Sequence, residues 1–564
     1  MADVANISFL SNQAGSVPFK ALVLAPLGGE NIPEYLCAPV EINQQNFDQV
    51  IREFAPCIDV SVDNDALCKL LNVSRQTLTL SYEIESYKDF EPRAILKKDP
   101  SLLEISLIIE NIHTLLQQEG AVFGTAAFAL EHVAIKALTK PQINRQGLEV
   151  LVCELEWVLS EVLNQILHQQ NWQQLEAAWR GIYLLCQTAK NTDALIIECA
   201  TVTKELLWED LFSSADLIDS NLYQQIYVDS IGQYGAIPYG ALLLDDYFSG
   251  TGSDLTLLKG LTHICSKAHL PVITAASASM FNVDDFNTLQ DSAYISEIHS
   301  TAAYIKWRSY IASEEASFLT LTMPRLLFRN AYDKGETTLS WFQEFTGTSH
   351  QYCLWGNASY GFVDNLLKSF AGNGFCSLIS GNEGGEIELG ALLSKQASLP
   401  VEIAFSEDKE AELISLGFNP VCTRAFQNKL LFESANSVRW GNMKLNHKVQ
   451  NLDTIASAQL QYLLIVVRII HCLKIIFRES LGATTSAPEL SNILNRWVRQ
   501  FVSDVEAPSR LVRSQRPLKD ARVAVLETLD VGWFDINISL TPHMKYLGNS
   551  VDINASVPMN EEVS

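Results

Sequence analysis

The 564-residue sequence has few charged residues and lacks the motifs of nucleotide binding. Charged residues make up 19 % of the chain and hydrophobic residues 48 %, which excludes a wholly disordered or collagen-like polypeptide. No GxxxxGK[ST] segment occurs, and in SGTGSDL the third glycine of a GxGxxG pattern is replaced by Leu255. The sequence therefore gives no support for a nucleotide site.

Positive charge is also scarce. Forty Lys and Arg stand against 65 Asp and Glu, which gives a formal net charge of -25. The phosphates of nucleic acids and the surfaces of anionic lipid membranes repel such a chain. We therefore expect no nucleic-acid partner.

Export and membrane signals are missing as well. The first twenty residues lack the basic start and the apolar run of a secretory signal. Eleven scattered cysteines without a CxxC pair suit reduced thiols, so we predict a cytoplasmic protein. Arg468, His471 and Lys474 interrupt the most apolar run, Tyr462 to Phe477, at a spacing of three. This predicts a core helix with one solvent-facing stripe and no membrane insertion.

The chain divides into five predicted segments. They are an N-terminal arm (1–17), a small α+β domain (18–118), a linker and helical segment (119–190), an α/β core (191–505) and a C-terminal β-ribbon with a tail (506–564). In the core, helical stretches alternate with the apolar strand candidates ALIIECATV, ALLLDD, PVITAAS, FLTLTM, FCSLIS, PVEIAF and KLLFES. This alternation predicts a multidomain protein whose main sheet is covered by helices on both faces.

The C-terminal segment contains the strand candidates ARVAVLETL, WFDINISLT and SVDINASVP, of which the first two predict a hairpin. A hairpin alone is marginal in water and has two unpaired edges, so we expect neighbouring protomers to complete it. The segment ANISFL near the N-terminus is a candidate strand donor, the alternative being a disordered tail. Proline at Val525 or Ile536 should then block polymerisation, and deletion of residues 1–12 should weaken it if ANISFL is the donor. The predicted strand-exchange residues are Val523, Val525, Leu526, Phe534, Ile536, Ile538, Ile7 and Phe9.

No combination of residues predicts a catalytic, cofactor or metal site. Asp245 and Asp246 end a strand but point to opposite faces, so a solvated strand end or helix cap is the simpler interpretation. Ser277 lacks a GxSxG context. In the closest approach to metal-ligand spacing, only Cys265 and His269 share a helix face, and His263 does not.

Two arginines, Arg325 and Arg329, lie four residues apart after a proline, as in the first turns of a helix. They could bind an anionic partner or pair with local acids such as Glu314 and Glu315. The acidic composition favours the second interpretation. The segments Trp179-Arg180-Gly181 and Leu354-Trp355-Gly356-Asn357 are by default helix ends or packing elements.

An ordered set of segments carries a family resemblance: LEAAWRGIYLL, YGALLLDDY, TAASASMF, YIKWRSYIASEEASFLTLTMPRLLFR, YCLWGNASYGF, AFSEDKEAELISLGFNPV and RPLKDARVAVLE. Over residues 145 to 550 the chain resembles the large subunit of the type VI secretion contractile sheath, the TssC or VipB family. The residues that match the motifs of that family are Trp179, Arg180, Gly181, Trp307, Arg308, Pro324, Arg325, Arg329, Trp355, Gly356 and Asn357.

A weaker resemblance covers about a hundred residues upstream. Asn46-Phe47-Asp48, Pro56 and Asp89-Phe90-Glu91-Pro92, followed by a leucine-rich helix, are similar to the small sheath subunit, the TssB or VipA family. Both resemblances together imply a small and a large subunit joined in one polypeptide near residues 119–140. Residues 18–118 should then pack on the rest through Leu102, Ile105, Ile109 and Leu115.

The resemblance implies a structural protein and no enzyme: a sheath protomer that polymerises helically around an inner tube and contracts to propel it. It further implies a baseplate and a ring-shaped AAA+ unfoldase as partners, with or without a separate small subunit. Two alternatives stay open at this point. One is a hydrolase that uses Asp245 or Ser277, and the other is a non-contractile scaffold that retains the sheath fold.

Overall fold

The structure is a computed structural model. It describes residues 17–71, 77–117, 145–214, 216–291, 295–334, 339–347, 350–393, 400–424, 429–445, 457–480, 486–505, 508–527, 534–543, 545–546, 549–550 and 553–559. The strands are β1 (Phe19–Ala25), β2 (Val40–Glu41), β3 (Cys57–Asp63), β4 (Thr77–Glu83), β5 (Leu195–Thr201), β6 (Tyr239–Phe248), β7 (Val272–Ala276), β8 (Leu319–Met323), β9 (Leu326–Arg329), β10 (Leu354–Gly356), β11 (Phe418–Arg424), β12 (Lys429–Phe432), β13 (Leu518–Glu527), β14 (Phe534–Pro542), β15 (Lys545–Tyr546), β16 (Asn549–Ser550) and β17 (Ile553–Met559).

The principal helices are α1 (Phe47–Phe54), α2 (Asp65–Leu70), α3 (Pro92–Lys98), α4 (Pro100–Gln117), α5 (Arg145–Leu167), α6 (Gln170–Ala189), α7 (Lys204–Phe212), α8 (Gly252–Lys267), α9 (Phe286–Asp291), α10 (Ile295–Ser300), α11 (Ile305–Ile311), α12 (Ala358–Asn373), α13 (Glu407–Ser415), α14 (Arg439–Leu445), α15 (Leu460–Ser480), α16 (Ala487–Val498) and α17 (Arg510–Gln515). A helical turn, Asn221–Tyr223, continues into a π-helix, Gln224–Gly232.

An eight-stranded sheet forms the centre of the protein, in the order β12-β11-β8-β7-β6-β1-β5-β2. The six strands from β11 to β5 are parallel, and the two edge strands, β12 and β2, are antiparallel to their neighbours. Strand β1 has the nearly continuous apolar sequence FKALVLA, and both of its faces are buried. Val23 packs in one hydrophobic core, and Leu22 and Leu24 pack in the other. The predicted α/β sheet with two covered faces is therefore confirmed.

Strand β1 comes from the N-terminal part of the chain but lies between β5 and β6 of the core. Phe19 to Ala25 pair with Leu195 to Thr201, and Leu22 pairs with Leu242 on the other side. The main sheet thus crosses the predicted boundary between residues 18–118 and 191–505. Helix α4 also packs on α5, with Leu102, Ile105 and Ile109 buried.

Most strand predictions for the core are confirmed, since β5, β6, β7, β8 and β12 fall on the expected segments. The expectations for FCSLIS and PVEIAF are wrong. Residues 375–380 form no strand, and residues 400–405 contribute a single bridge from Val401 to Leu326. The expected helix after Pro324 is wrong too, because Leu326–Arg329 is strand β9, which pairs with β10. A short apolar run is compatible with several local structures, and its tertiary partners decide among them.

Helix α15 corrects the prediction of a solvent-facing stripe. His471 and Lys474 are 4 % and 8 % exposed, and His471 Nε2 lies 3.1 Å from the Ala268 carbonyl oxygen. Arg478 donates to the carbonyls of Ile231 and Ala236. The stretch Leu460–Arg478 is long and apolar enough to cross a membrane, but 78 % of it is buried inside the protein. The prediction of a core helix holds, and its polar stripe faces the core domain.

The C-terminal part forms a three-stranded antiparallel sheet in the order β13-β14-β17. It packs on α15 and α16 through a third hydrophobic core. The hairpin of β13 and β14 is confirmed, but the expectation that both of its edges lack a partner is wrong. The chain's own residues Ile553–Met559 pair along β14, because they form a third alternating strand close enough in sequence to fold back.

Candidate assembly site and family motifs

The predicted strand-exchange residues fall into three groups. Val523, Val525, Ile536 and Ile538 are buried in the third core, so they hold the C-terminal sheet on α15 and α16. Leu526 is 52 % exposed on β13, and Phe534 begins β14. Ile7 and Phe9 lie outside the described residues. Strand exchange through these residues stays a prediction.

The motif residue Arg329 lies at the centre of a buried ionic cluster. Its Nε donates to Glu176 Oε1 at 2.9 Å, and its Nη1 and Nη2 donate to the Glu344 carboxylate at 2.5 and 3.1 Å. Glu176 Oε1 also accepts from Arg180 Nε at 2.7 Å. All four side chains are buried. The cluster ties α6 to β9 and to the segment that contains Glu344.

The charges in this cluster stabilise one another. Burial alone would raise the pKa of Glu344, but Arg329 and the hydrogen bonds from His168 and Tyr332 lower that pKa to about 2. Burial would lower the pKa of Arg329, yet Glu176 and Glu344 outweigh it and raise that pKa well above its usual value. The ionic form therefore persists across the physiological pH range.

Arg180 and Trp179 connect the cluster to the N-terminal part of the chain. Arg180 Nη1 donates to Tyr87 Oη at 3.0 Å, and Trp179 Nε1 donates to the Leu27 carbonyl at 3.2 Å. The Trp179 ring also meets the edge of Phe47. These residues lie within α6, so the packing interpretation of Trp179-Arg180-Gly181 is confirmed and the helix-end interpretation is wrong.

Gly181 allows α6 and α12 to approach each other closely. A Cβ atom built at this position would lie 2.6 Å from ring carbons of Tyr360. Gly356 is similarly confined, because a Cβ there would lie 2.2 Å from the Phe328 ring. Both glycines are therefore needed for packing.

The other motif residues also make structural contacts. Trp307 is 1 % exposed and stacks on Phe418, and Arg308 Nη1 donates to the carbonyls of His299 and Thr301. Arg325, which follows Pro324, donates to both carboxylate oxygens of Glu402, at 2.8 and 2.6 Å.

In the last motif, Trp355 and Gly356 lie in β10, and Asn357 caps α12 by accepting from the Ser359 amide at 2.9 Å. The helix-end interpretation of this segment is confirmed. Asn357 Nδ2 also donates to the Asp246 carbonyl at 3.2 Å, which fixes the start of α12 against β6.

Arg325 and Arg329 pair with acidic residues, as expected, but with residues other than the expected Glu314 and Glu315. Their partners are Glu402, Glu176 and Glu344, whereas Glu315 lies 2.8 Å from His263 Nδ1. Sequence reasoning missed these three partners. The spacing of four between Glu176 and Arg180 could have revealed one of them, because residues four apart share a helix face.

The candidate chemical residues are separated in the structure. Asp245 accepts from Tyr360 Oη at 3.0 Å, and Asp246 pairs with Lys204 at 3.2 Å. Burial raises the pKa of Asp245 to about 7, against the hydrogen bonds from Tyr360 and Asn357. Ser277 Oγ donates to the Phe248 carbonyl at 3.0 Å and lies 2.6 Å from Ser279 Oγ. Within the described ranges, no group of three or more His, Cys, Asp or Glu side chains is placed to hold a metal.

Comparison with known proteins agrees with the packing and hydrogen-bonding roles of the motif residues. Residues 149–439 match the family model of the EvpB/VC_A0108 tail sheath N-terminal domain, VipB, and residues 449–558 match the tail sheath gpW/gp25-like domain. Residues 11–122 match the type VI secretion system family described as VipA, VC_A0107 or Hcp2. The recognition of both sheath subunits is therefore confirmed.

Two individual proteins are also similar to this chain. The type VI secretion system sheath protein TssC1 of Pseudomonas aeruginosa is 30 % identical over 450 residues, which cover 77 % of this chain and 89 % of that protein. The sheath tail protein Lin1278 of Listeria innocua aligns over 60 % of both chains with 9 % identity and a TM-score of 0.31. On the family models and the TssC1 relationship, this chain belongs to the VipB family of type VI secretion sheath proteins and is a structural sheath protomer.

Proposed function

We propose that this chain unites the small and large sheath subunits in one protomer that polymerises without a separate small subunit. The observation that carries the proposal is the position of β1 between β5 and β6. The VipA-like region thus supplies a central strand, β1, and an edge strand, β2, of the sheet whose other six strands belong to the VipB-like region. A strand with neighbours on both sides is an integral part of the fold and not an accessory.

Side-chain contacts between the two regions support the same conclusion. Trp179 and Arg180 belong to the VipB-like region and contact Leu27, Phe47 and Tyr87 of the VipA-like region. Gln165 Nε2 further donates to the Asp63 carbonyl at 3.0 Å, and Gln165 Oε1 accepts from the Asp63 amide at 2.9 Å. The two regions therefore share aromatic contacts and hydrogen bonds to both side chains and backbone.

Assembly would proceed through repeated contacts between identical protomers. A heterologous interface repeated by a screw operation produces an open helix, and strand exchange would keep neighbours linked while their core domains slide. Contraction then requires two packings of the same chain that differ in free energy. The family resemblance supplies an inner-tube protein, a baseplate, an AAA+ unfoldase and a cytoplasmic location as the remaining parts of this proposal.

A cleavable chain tests the fusion. A protease site is inserted between the two matched regions, after residue 122, and the purified protein is cleaved and passed through a sizing column. We expect the two fragments to elute together, and the uncut chain to form tubes in negative-stain electron microscopy without any added protein. Fragments that separate in native buffer, or tubes that require a separate small subunit, would contradict the proposal. The insertion without cleavage is the matched control.

A further inference from the structure

The outer face of helix α5 carries a row of apolar side chains, which we call the α5 stripe. Its members, Val150, Cys153 and Trp157, follow one another at spacings of three and four, so they lie on one face of the helix. Val150 and Trp157 are 58 % and 60 % exposed, and Cys153 is exposed as well. A single exposed apolar residue is ordinary, whereas a row of three on one helix face is typical of a surface that another element covers.

The segment that connects α4 to α5 begins and ends close to this stripe. Helix α4 ends at Gln117 and α5 begins at Arg145, and the connecting segment, residues 118–144, lies outside the described residues. Arg145 Nη2 donates to the Leu116 carbonyl at 3.2 Å, so the two ends of the segment lie side by side. Val150 follows Arg145 by only about 7.5 Å along the helix axis. The connecting segment is therefore tethered at both ends next to the α5 stripe.

The connecting segment has the sequence pattern of an amphipathic helix. Its apolar residues recur at spacings of three and four at Ala127, Leu130, Ala134 and Leu138. His132 and Lys136 fall on the opposite face of such a helix. Thr125 precedes the pattern as a helix-capping residue type, and Pro141 follows it as a stop signal. The pattern predicts a helix over residues 126–139.

Length favours an antiparallel run of this helix along α5. The helix would be about 21 Å long, twice the distance of roughly 10 Å from Val150 to Trp157. Residues 140–144, which join it to α5, span at most about 18 Å when extended. A parallel run would require them to return over the full helix length, whereas an antiparallel run needs only a short turn. In the antiparallel orientation Leu138 lies level with Val150, and Leu130 lies level with Trp157.

The charges of the two elements are complementary in this orientation. Glu149 and Glu154 flank the α5 stripe and are exposed. Residues 132–144 of the connecting segment contain Lys136 and Lys140 and no Asp or Glu. An antiparallel run brings this basic half of the segment beside the two carboxylates of α5, where opposite charges attract.

We infer that residues 126–139 form a helix that packs antiparallel to α5 and covers the α5 stripe. The junction between the VipA-like and VipB-like regions is then a structural element with its own interface, and not only a tether. The inference goes beyond the proposed function, because it concerns the single protomer and holds whether or not the protomer polymerises. The competing occupant is a second copy of this chain, over which the tethered segment has the advantage of an intramolecular encounter.

Cross-linking to the native Cys153 tests the position of the helix. Ala134→Cys places a thiol on the predicted apolar face, and His132→Cys places one on the opposite face of the same segment. After treatment of the soluble protomer with a short bismaleimide, we expect at least about tenfold more cross-link to Cys153 in the first variant than in the second, since residues two apart do not share a helix face. Mass spectrometry of the linked peptides measures both yields. Equal yields, or no cross-link in either variant, would overturn the inference.

Hydroxyl-radical footprinting tests the coverage of the stripe without a new cysteine. Residues 121–140 are replaced by a Gly/Ser segment of equal length, and the oxidation of Trp157 is compared with that in the wild type. We expect Trp157 to react at least about fivefold faster in the variant, because a covering helix shields most of its large ring. Trp208 of α7, which is 37 % exposed, is the internal control and should react equally in both chains.

Two outcomes of the footprinting would contradict the inference. One is an equal, fast rate at Trp157 in both chains. The other is slow oxidation in both chains that becomes fast on dilution, which would assign the α5 stripe to a second copy. Absence of tubes from the wild-type chain, by contrast, would count against the proposed function alone.

Discussion

Arg329 and Glu344 form a two-bonded ion pair in which both side chains are at most 5 % exposed. Glu176 contacts the same guanidinium from α6, so one arginine neutralises carboxylates from two different segments. Removing one partner of a buried ion pair is far more damaging than removing both, because the remaining charge is left without compensation. Substitution of Arg329 therefore tests whether this motif residue is needed for the stability of the fold.

Replacing Arg329 with methionine should strongly destabilise the protein. The buried Glu344 carboxylate would lose its arginine partner and Glu176 would keep only Arg180, at a cost of roughly 3 to 5 kcal/mol in the free energy of unfolding. The control is Arg145→Met, which breaks the exposed pair with Glu149 on α5 and should change stability by less than about 1 kcal/mol. Urea denaturation of both variants measures the difference. Similar stabilities would show that the buried cluster is unimportant for folding.

The ion pair also predicts acid sensitivity. The pKa of Glu344 is about 2 in the folded protein, below its ordinary value of 4.5, so its contribution to stability is present above about pH 4.5 and is lost as the pH falls towards 2. That shift corresponds to about 3 kcal/mol. Denaturation curves between pH 7 and pH 2 should therefore fall more steeply for the wild type than for Glu344→Gln. Parallel pH profiles would contradict the assignment.

Two helical glycines should respond to alanine with opposite signs. Gly181→Ala places a methyl group into the Tyr360 ring and should destabilise the protein by about 1 to 3 kcal/mol. Gly372 lies in α12 with nothing within 4 Å of an added Cβ, so Gly372→Ala should stabilise it by about 0.5 to 1 kcal/mol. The melting temperatures of the two variants provide the measurement. A shift in the same direction for both would argue against close packing between α6 and α12.

Asp245→Asn distinguishes a structural carboxyl group from a chemically used one. Burial raises the folded-state pKa of Asp245 to about 7, so the wild type loses stability as the pH rises from about 4 to 7. Asparagine can still accept the hydrogen bond from Tyr360 and carries no charge. We expect the variant to be about 4 kcal/mol more stable than the wild type at pH 8 and equal to it near pH 4. A less stable variant at pH 8 would mean that the charge itself is needed.

The sequence predicts the elements of the core better than the contacts among them. Runs such as ALLLDD and PVITAAS are apolar on both faces, which is typical of buried parallel strands, and they became β6 and β7. The same reasoning failed for FCSLIS, because its length and polarity do not reveal whether a neighbouring strand is available. The spacing of four between Arg325 and Arg329 wrongly predicts a helix, because residues 326–329 form strand β9. Their partners Glu402 and Glu344 lie 77 and 15 residues away in sequence.

Polarity patterns have a similar limit in α15. The repeat of Arg468, His471 and Lys474 correctly identifies a polar face, but it cannot distinguish water from backbone carbonyls as the partner. The placement of β1 was beyond sequence reasoning as well, because its partners begin more than 170 residues later. Such non-local pairing depends on the whole fold.

The central position of β1 has a consequence for how the cell would control sheath production. When two separate chains must meet to complete a sheet, their yield depends on both concentrations, and an excess of either leaves an unfinished fold. Covalent connection makes the encounter intramolecular and independent of dilution. It also fixes the ratio of the two regions at one to one during synthesis. The remaining constraint is on the folding rate. Strand β1 is synthesised first but cannot be buried until β5 and β6 have been translated.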